Sequence, residues 1–125
     1  MIIGIGHDLV HVLRVARLLK RWDQRFLDRV FSPAEQEYCR KLHEPAPSLA
    51  ARFAAKEAFY KALSRGTPLP LWFRDAEVVH NTGQELRLAL SPKAAKLADE
   101  AGVQHIHLTL THDGEYAAAF VVLED

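Results

Sequence analysis

Leu49-Ala50-Ala51-Arg52-Phe53-Ala54-Ala55-Lys56-Glu57-Ala58-Phe59-Tyr60-Lys61-Ala62-Leu63 is the stretch on which the fold turns. It is rich in Ala, free of Gly and Pro, and preceded by Ser48 as an N-cap, so it predicts a long helix beginning after the chain breaks at Pro45 and Pro47. Moving towards the N-terminus, Ser32-Pro33-Ala34-Glu35 has the cap, first-turn proline and Glu of a helix start that runs to about Leu42. Asp23 caps a further helix through Phe31, and from Val12 a helical period sets Leu13, Ala16 and Leu19 on one face and Arg14, Arg17 and Arg21 on the other. The Ile- and Val-rich residues 2–5 and 9–13 read as a short buried strand opening into a turn at His7-Asp8. Moving towards the C-terminus, residues 64–71 read as a loop. Trp72-Phe73, Val78-Val79 and Leu86 to Leu90 alternate like strands, with hairpin chemistry at Asn81-Thr82-Gly83. Ser91-Pro92 opens a helix to about Ala101 that Gly102 can close, and two paired strands follow on either side of Asp113-Gly114. The expected fold class is α+β, with helices packed on one face of a small, mostly antiparallel sheet, in one domain over residues 1–125.

Composition narrows the function classes. The 125 residues carry 16 basic and 16 acidic side chains, so a general nucleic-acid binder, which needs a positive excess, is disfavoured. The single cysteine, Cys39, builds neither an internal disulfide nor a Cys-type zinc site, and a reducing cytoplasm suits it. No basic leader stands at the start and no apolar run is long enough for a membrane span. The charge is nevertheless sorted: residues 14–41 hold eight basic and four acidic side chains, and residues 44–125 hold eight and eleven. A local basic patch on a neutral protein suits docking of an acidic protein, although such a stripe also serves as an ordinary solvated face.

Several residues have the chemistry of a site. Gly4-x-Gly6 invites a dinucleotide fingerprint, but Leu9 stands where the third glycine would fall, and that reading is rejected. Asp8 follows those small residues and is either a turn carboxylate or one that faces a ligand. Glu57 and Lys61 are four apart on one helix face, which gives either a surface ion pair or, with Asp8, two carboxylates and a cation around a phosphate group. Magnesium takes one or two protein carboxylates and fills its shell with water and substrate phosphates, so Asp8 and Glu57 suffice as ligands and Lys61 faces the same phosphates. His112, at a strand end, is either a structural hydrogen bonder or a ligand contact. The other histidines lack paired zinc-ligand spacing on a helix, His105-x-His107 on a strand is only a weak zinc signal, and Cys39 reads as packing.

Taken together, Gly4-Ile5-Gly6-His7-Asp8-Leu9-Val10 and Arg52-Phe53-Ala54-Ala55-Lys56-Glu57-Ala58-Phe59-Tyr60-Lys61-Ala62 resemble the two signature motifs of the holo-acyl-carrier-protein synthases, the short bacterial class of 4′-phosphopantetheinyl transferases. Phe31-Ser32 to Glu37, Thr109-Leu110-Thr111-His112 and Tyr116 to Ala119 fall in the same order, so the resemblance spans nearly the whole chain. It implies magnesium on Asp8 and Glu57, and catalytic roles for Glu57 and Lys61. It further implies coenzyme A contacts from Arg52, Lys56, Lys61, Thr111 and His112, and docking of apo-acyl carrier protein on Arg14, Arg17 and Arg21. The implied reaction moves phosphopantetheine from coenzyme A to a carrier serine and releases 3′,5′-bisphosphoadenosine, in a homotrimer of fatty acid biosynthesis with sites between subunits. His11, Ser64, Glu85, Thr109 and Thr111 depart from the family's usual residues. A magnesium-dependent phosphohydrolase and a noncatalytic module that binds an acidic protein are the alternatives.

Overall fold

A computed structural model of the chain describes residues 1–80 and 85–125. The helix around Ala54 organises everything else. It runs Pro45–Ser64 (α4), longer than the sequence pattern predicts, because Pro45 and Pro47 sit in its first turn, where a backbone N–H has no intrahelical partner to lose. Ser48 therefore lies inside the helix and bonds Arg52 instead of capping. At the other end Arg65 closes α4 in the left-handed conformation. Apolar and alanine positions are buried on nearly every side of this helix.

Strand β1 (Ile2–His11) crosses α4, antiparallel to β5 (Tyr116–Glu124), which pairs in turn with β4 (His105–Asp113). The expected turn at His7-Asp8 is absent: β1 continues through both residues, held by β5 from Ile5↔Val122 to His11↔Tyr116. The glycines explain this. A Cβ on Gly4 would collide with the carbonyl oxygen of Ala62 and one on Gly6 with that of Ala58, so these residues allow β1 to lie directly on the backbone of α4. With a side-chain period of two, Asp8 follows Gly4 and Gly6 on the helix-facing side of the sheet.

Helices α1 (Val12–Trp22) and α2 (Gln24–Val30) follow, broken at Asp23, which takes a positive φ and makes no side-chain cap. Helix α3 (Pro33–Arg40) has the full predicted capping box, with Ser32 and Glu35 bonding each other's backbone N–H. Trp72-Phe73 is not a strand. A short 3₁₀ turn over Phe73–Asp75 precedes β2 (Ala76–Val79), which pairs antiparallel with β3 (Arg87–Leu90) as a second, two-stranded sheet. Residues Asn81, Thr82 and Gly83, read above as hairpin turn chemistry, lie outside the described residues. Helix α5 (Pro92–Glu100) starts at the Ser91 cap, and Gly102 takes the left-handed conformation as expected. The α+β expectation holds, with two antiparallel sheets in place of one. No helix among the described residues is long and apolar enough to cross a membrane.

Candidate active site

Where β1 meets the last turns of α4, three predicted residues come together. The Lys61 Nζ donates to Asp8 Oδ1 at 2.8 Å and to the His7 carbonyl at 3.3 Å. Glu57, one helical turn before Lys61, lies close enough to feel the charges of Asp8, Lys61 and Arg14. The Glu57 carboxyl is held above its usual value, first by burial and then by the Asp8 charge, against the opposing pull of Lys61 and Arg14. Among the described residues it receives no hydrogen bond, so a half-buried carboxylate stands beside a second one with no donor of its own. Two hard oxygen ligands crowded in this way fit a magnesium ion, which needs only one or two protein carboxylates. Among the described residues no group of three or more His, Cys, Asp or Glu is gathered for a metal, so an ion on Asp8 and Glu57 would complete its shell with water and substrate oxygens.

An open cleft of about 390 Å³ begins at Glu57 and continues past Tyr60, Leu69, Leu71, Trp72 and Phe73. The Tyr60 hydroxyl accepts from Leu69 N at 2.9 Å and so pins the loop after α4 as one wall. This largely apolar wall was not legible in the sequence, since Trp72-Phe73 read as strand.

The remaining predicted residues divide. Arg52 is only 4% exposed; its Nη1 donates to Ser48 Oγ at 2.5 Å and its guanidinium lies 4.4 Å over the Tyr38 ring. The Arg52 Nε has no partner, and no carboxylate pairs with this cation among the described residues. A buried, unpaired charge is expensive, so an anion arriving from outside would relieve it. Lys56 lines the cleft next to Glu57, while its ammonium is already engaged within the protein. It is 4% exposed, and its ammonium donates to Glu35 Oε1 at 2.7 Å and to the Ala76 carbonyl at 2.6 Å. Burial pushes the Lys56 ammonium down while Glu35 pulls it up. Glu35, itself 1% exposed, is a residue that sequence reading missed; its place in the Ser32 capping box was the only signal, and it disclosed the cap alone.

Thr111 and His112 sit on β4, separated from β1 by β5. His112 pairs with Ala117 on the helix-facing side, while Thr111 pairs with Ala118 on the outer side, so one chain does not gather both at Asp8. Arg14, Arg17 and Arg21 are exposed along α1, with Arg14 5.8 Å from the centre of the Phe53 ring and Arg21 5.1 Å from that of Trp22. Cys39 is buried and free, bonded to Ser48.

Comparisons with known proteins agree with this geometry. Residues 4–121 match the profile of the 4′-phosphopantetheinyl transferase superfamily. The chain is 46% identical over 124 residues to a holo-[acyl-carrier-protein] synthase of Trichlorobacter lovleyi, covering 99% of this chain and 98% of that protein. It is 49% identical over 127 residues to the enzyme of that name from Anaeromyxobacter dehalogenans, with coverage of 99% and 97%. Among solved structures, the holo-[acyl-carrier-protein] synthase of Neisseria meningitidis superposes with a TM-score of 0.88 at 34% identity, covering 100% of both chains. The Helicobacter pylori synthase, solved in complex with coenzyme A, does so with a TM-score of 0.82 at 32% identity, covering 96% and 99%.

Proposed function

This chain belongs to the holo-acyl-carrier-protein synthases of the 4′-phosphopantetheinyl transferase superfamily, and we propose that it transfers 4′-phosphopantetheine from coenzyme A to a serine hydroxyl of apo-acyl carrier protein, with magnesium, releasing 3′,5′-bisphosphoadenosine. The observation that carries the reading is the meeting of Asp8, Glu57 and Lys61 where β1 crosses α4, two carboxylates and an ammonium together, with Glu57 also lining the cleft of about 390 Å³.

Asp8 and Glu57 would hold the ion, which when bound neutralises and orients the pyrophosphate. Lys61, now on Asp8, is free at its exposed end to meet the phosphate oxygens, where charge grows as the bond to the bisphosphoadenosine oxygen breaks. The serine oxygen forms the new bond to the phosphorus attached to pantetheine, and its proton goes to the Glu57 oxygen that the ion would leave free. The enzyme needs no nucleophile, because the carrier brings one. Arg52, buried and without a counter-ion among the described residues, supports binding of an anionic group of coenzyme A.

The outer side of the three-stranded sheet exposes Ile5, Leu9, Tyr116 and Phe120, a face suited to burial against further copies of the chain. A homotrimer would cover it and let Thr111 and His112 serve the site of a neighbouring copy. The exposed Arg14, Arg17 and Arg21 suit an acidic carrier. A role in fatty acid biosynthesis and a cytoplasmic location, where the free Cys39 stays reduced, complete the reading.

Intact-mass measurement of apo-acyl carrier protein incubated with the enzyme, coenzyme A and magnesium tests it. The carrier should gain one phosphopantetheine per molecule and bisphosphoadenosine should appear in equal amount, both stopped by a chelator. An unmodified carrier, or coenzyme A hydrolysed without transfer, would refute it.

A further inference from the structure

A second ammonium–carboxylate pair lies within the protein, on the residue immediately before Glu57. The Glu35 carboxylate accepts from Lys56 Nζ at 2.7 Å, from Ser32 N at 2.9 Å and from Val78 N at 3.0 Å. Lys56 also donates to the Ala76 carbonyl at 2.6 Å. One buried carboxylate thus joins the N-terminus of α3, strand β2 and helix α4, and Ala76 at this junction also lines the cleft. No substrate group is needed to satisfy the pair.

The surroundings of α4 give these contacts their meaning. Its face towards β1 is Ala58 and Ala62 against Gly4 and Gly6, surfaces without the interlocking side chains that fix a helix by ridges and grooves. Ala50, Ala51, Ala54 and Ala55 are buried as well. Such smooth contact lets α4 and β1 approach closely, so the β1 side does little to fix the helix's rotation; Leu49, Phe53, Phe59 and Leu63 pack elsewhere around α4, and the Lys56–Glu35 contact adds a directional polar constraint to them. Buried ion pairs add little net stability compared with apolar groups of similar volume, and their best-attested use is to set register. Lys56 and Glu57 are successive residues about 100° apart around the helix, so a rotation that releases Lys56 from Glu35 also swings Glu57 away from Asp8.

We propose that Glu35 and Lys56 are positioning residues: their buried contact fixes the rotation of α4 against β2 and α3, and thereby holds Glu57 at Asp8 and the Ala76 wall at the cleft. This deepens the proposed function and rests on Glu57 acting at the substrate phosphates.

Removing one partner strands a buried charge and risks unfolding, so the test uses the double variant Glu35→Gln with Lys56→Met, which keeps the volume and removes both charges. It should melt within a few degrees of wild type. Its kcat should fall about 10–100-fold with an unchanged KM for the carrier, the signature of a misplaced reacting group, and Mn²⁺ binding measured by calorimetry should weaken about tenfold. A folded double variant with wild-type kcat or wild-type Mn²⁺ affinity overturns the proposal. So does a double variant that fails to fold, since the pair would then be chiefly a stability element. If the wild type transfers nothing, the functional reading fails, and the Mn²⁺ comparison still decides the positioning claim.

Discussion

Helix α4 carries two lysine–carboxylate pairs with nearly the same bond length, Lys56–Glu35 at 2.7 Å and Lys61–Asp8 at 2.8 Å. Their surroundings differ in every other respect. The first has side-chain exposures of 2% and 0%, and its carboxylate takes two further backbone N–H bonds; the second has 52% and 16%, beside a Glu57 that has no hydrogen-bond donor among the described residues. Distance therefore says little about role. A pair sealed from water is bound to its place by the cost of separating it, whereas a pair at the solvent edge exchanges partners cheaply and is free to meet a substrate.

Breaking the sealed pair on one side gives the largest expected effect. Lys56→Ala leaves the Glu35 carboxylate buried without its cation and should cost about 3–5 kcal/mol of stability, measured by urea denaturation. A loss below about 1 kcal/mol would mean that the pair is more hydrated than its burial indicates. Breaking the exposed pair should do the opposite. Lys61→Ala should melt almost like wild type, because a partly exposed ion pair contributes only about 0–1 kcal/mol, yet lose roughly 100-fold in kcat. Normal kcat with a slightly lower melting temperature would make Lys61 a surface ion-pair partner and nothing more.

A smaller effect belongs to the basic helix beside the exposed pair. Arg14→Glu with Arg21→Glu should raise the KM for acyl carrier protein about tenfold and leave that for coenzyme A unchanged, with added salt weakening carrier use by wild type more than by the variant. Equal salt sensitivity in both would place the docking surface elsewhere.

The smallest effect is a titration. Burial, followed by Asp8, raises the Glu57 pKa, so in the metal-free protein the stability linked to this group is present below the ordinary carboxylate value and is lost as pH rises through the raised one. Arg14 opposes the rise, and Arg14→Gln should therefore move the Glu57 midpoint further up, as read by carboxyl NMR. A midpoint that moves down would show that the Arg14 charge does not reach Glu57.

The two pairs were unequally legible in the sequence. Asp8, Glu57 and Lys61 could be read because glycine spacing on a strand and an i,i+4 spacing on a helix are local patterns that survive folding unchanged. The continuity of β1 was not legible: Gly6-His7-Asp8 has the composition of a turn, and only the ladder with β5 and the close approach of α4 hold it extended. The start of α4 was misread by treating Pro45 and Pro47 as breakers when they occupy its first turn. Glu35 reaches across 21 residues to Lys56 and 43 to Val78, contacts that no window along the chain contains. The wall at Trp72 and Phe73 was hidden for a similar reason, because its two aromatics alternate as in a strand while the backbone turns.

In the proposed reaction, the edge formed by Asp8 and Glu57 is where phosphopantetheine changes hands. Single-turnover transfer by Asp8→Ala and Glu57→Ala, each measured beside its thermal melt, tests it most directly. Both variants should stay folded and lose about 100–1,000-fold or more in rate at saturating magnesium. Near wild-type transfer by either folded variant would contradict it.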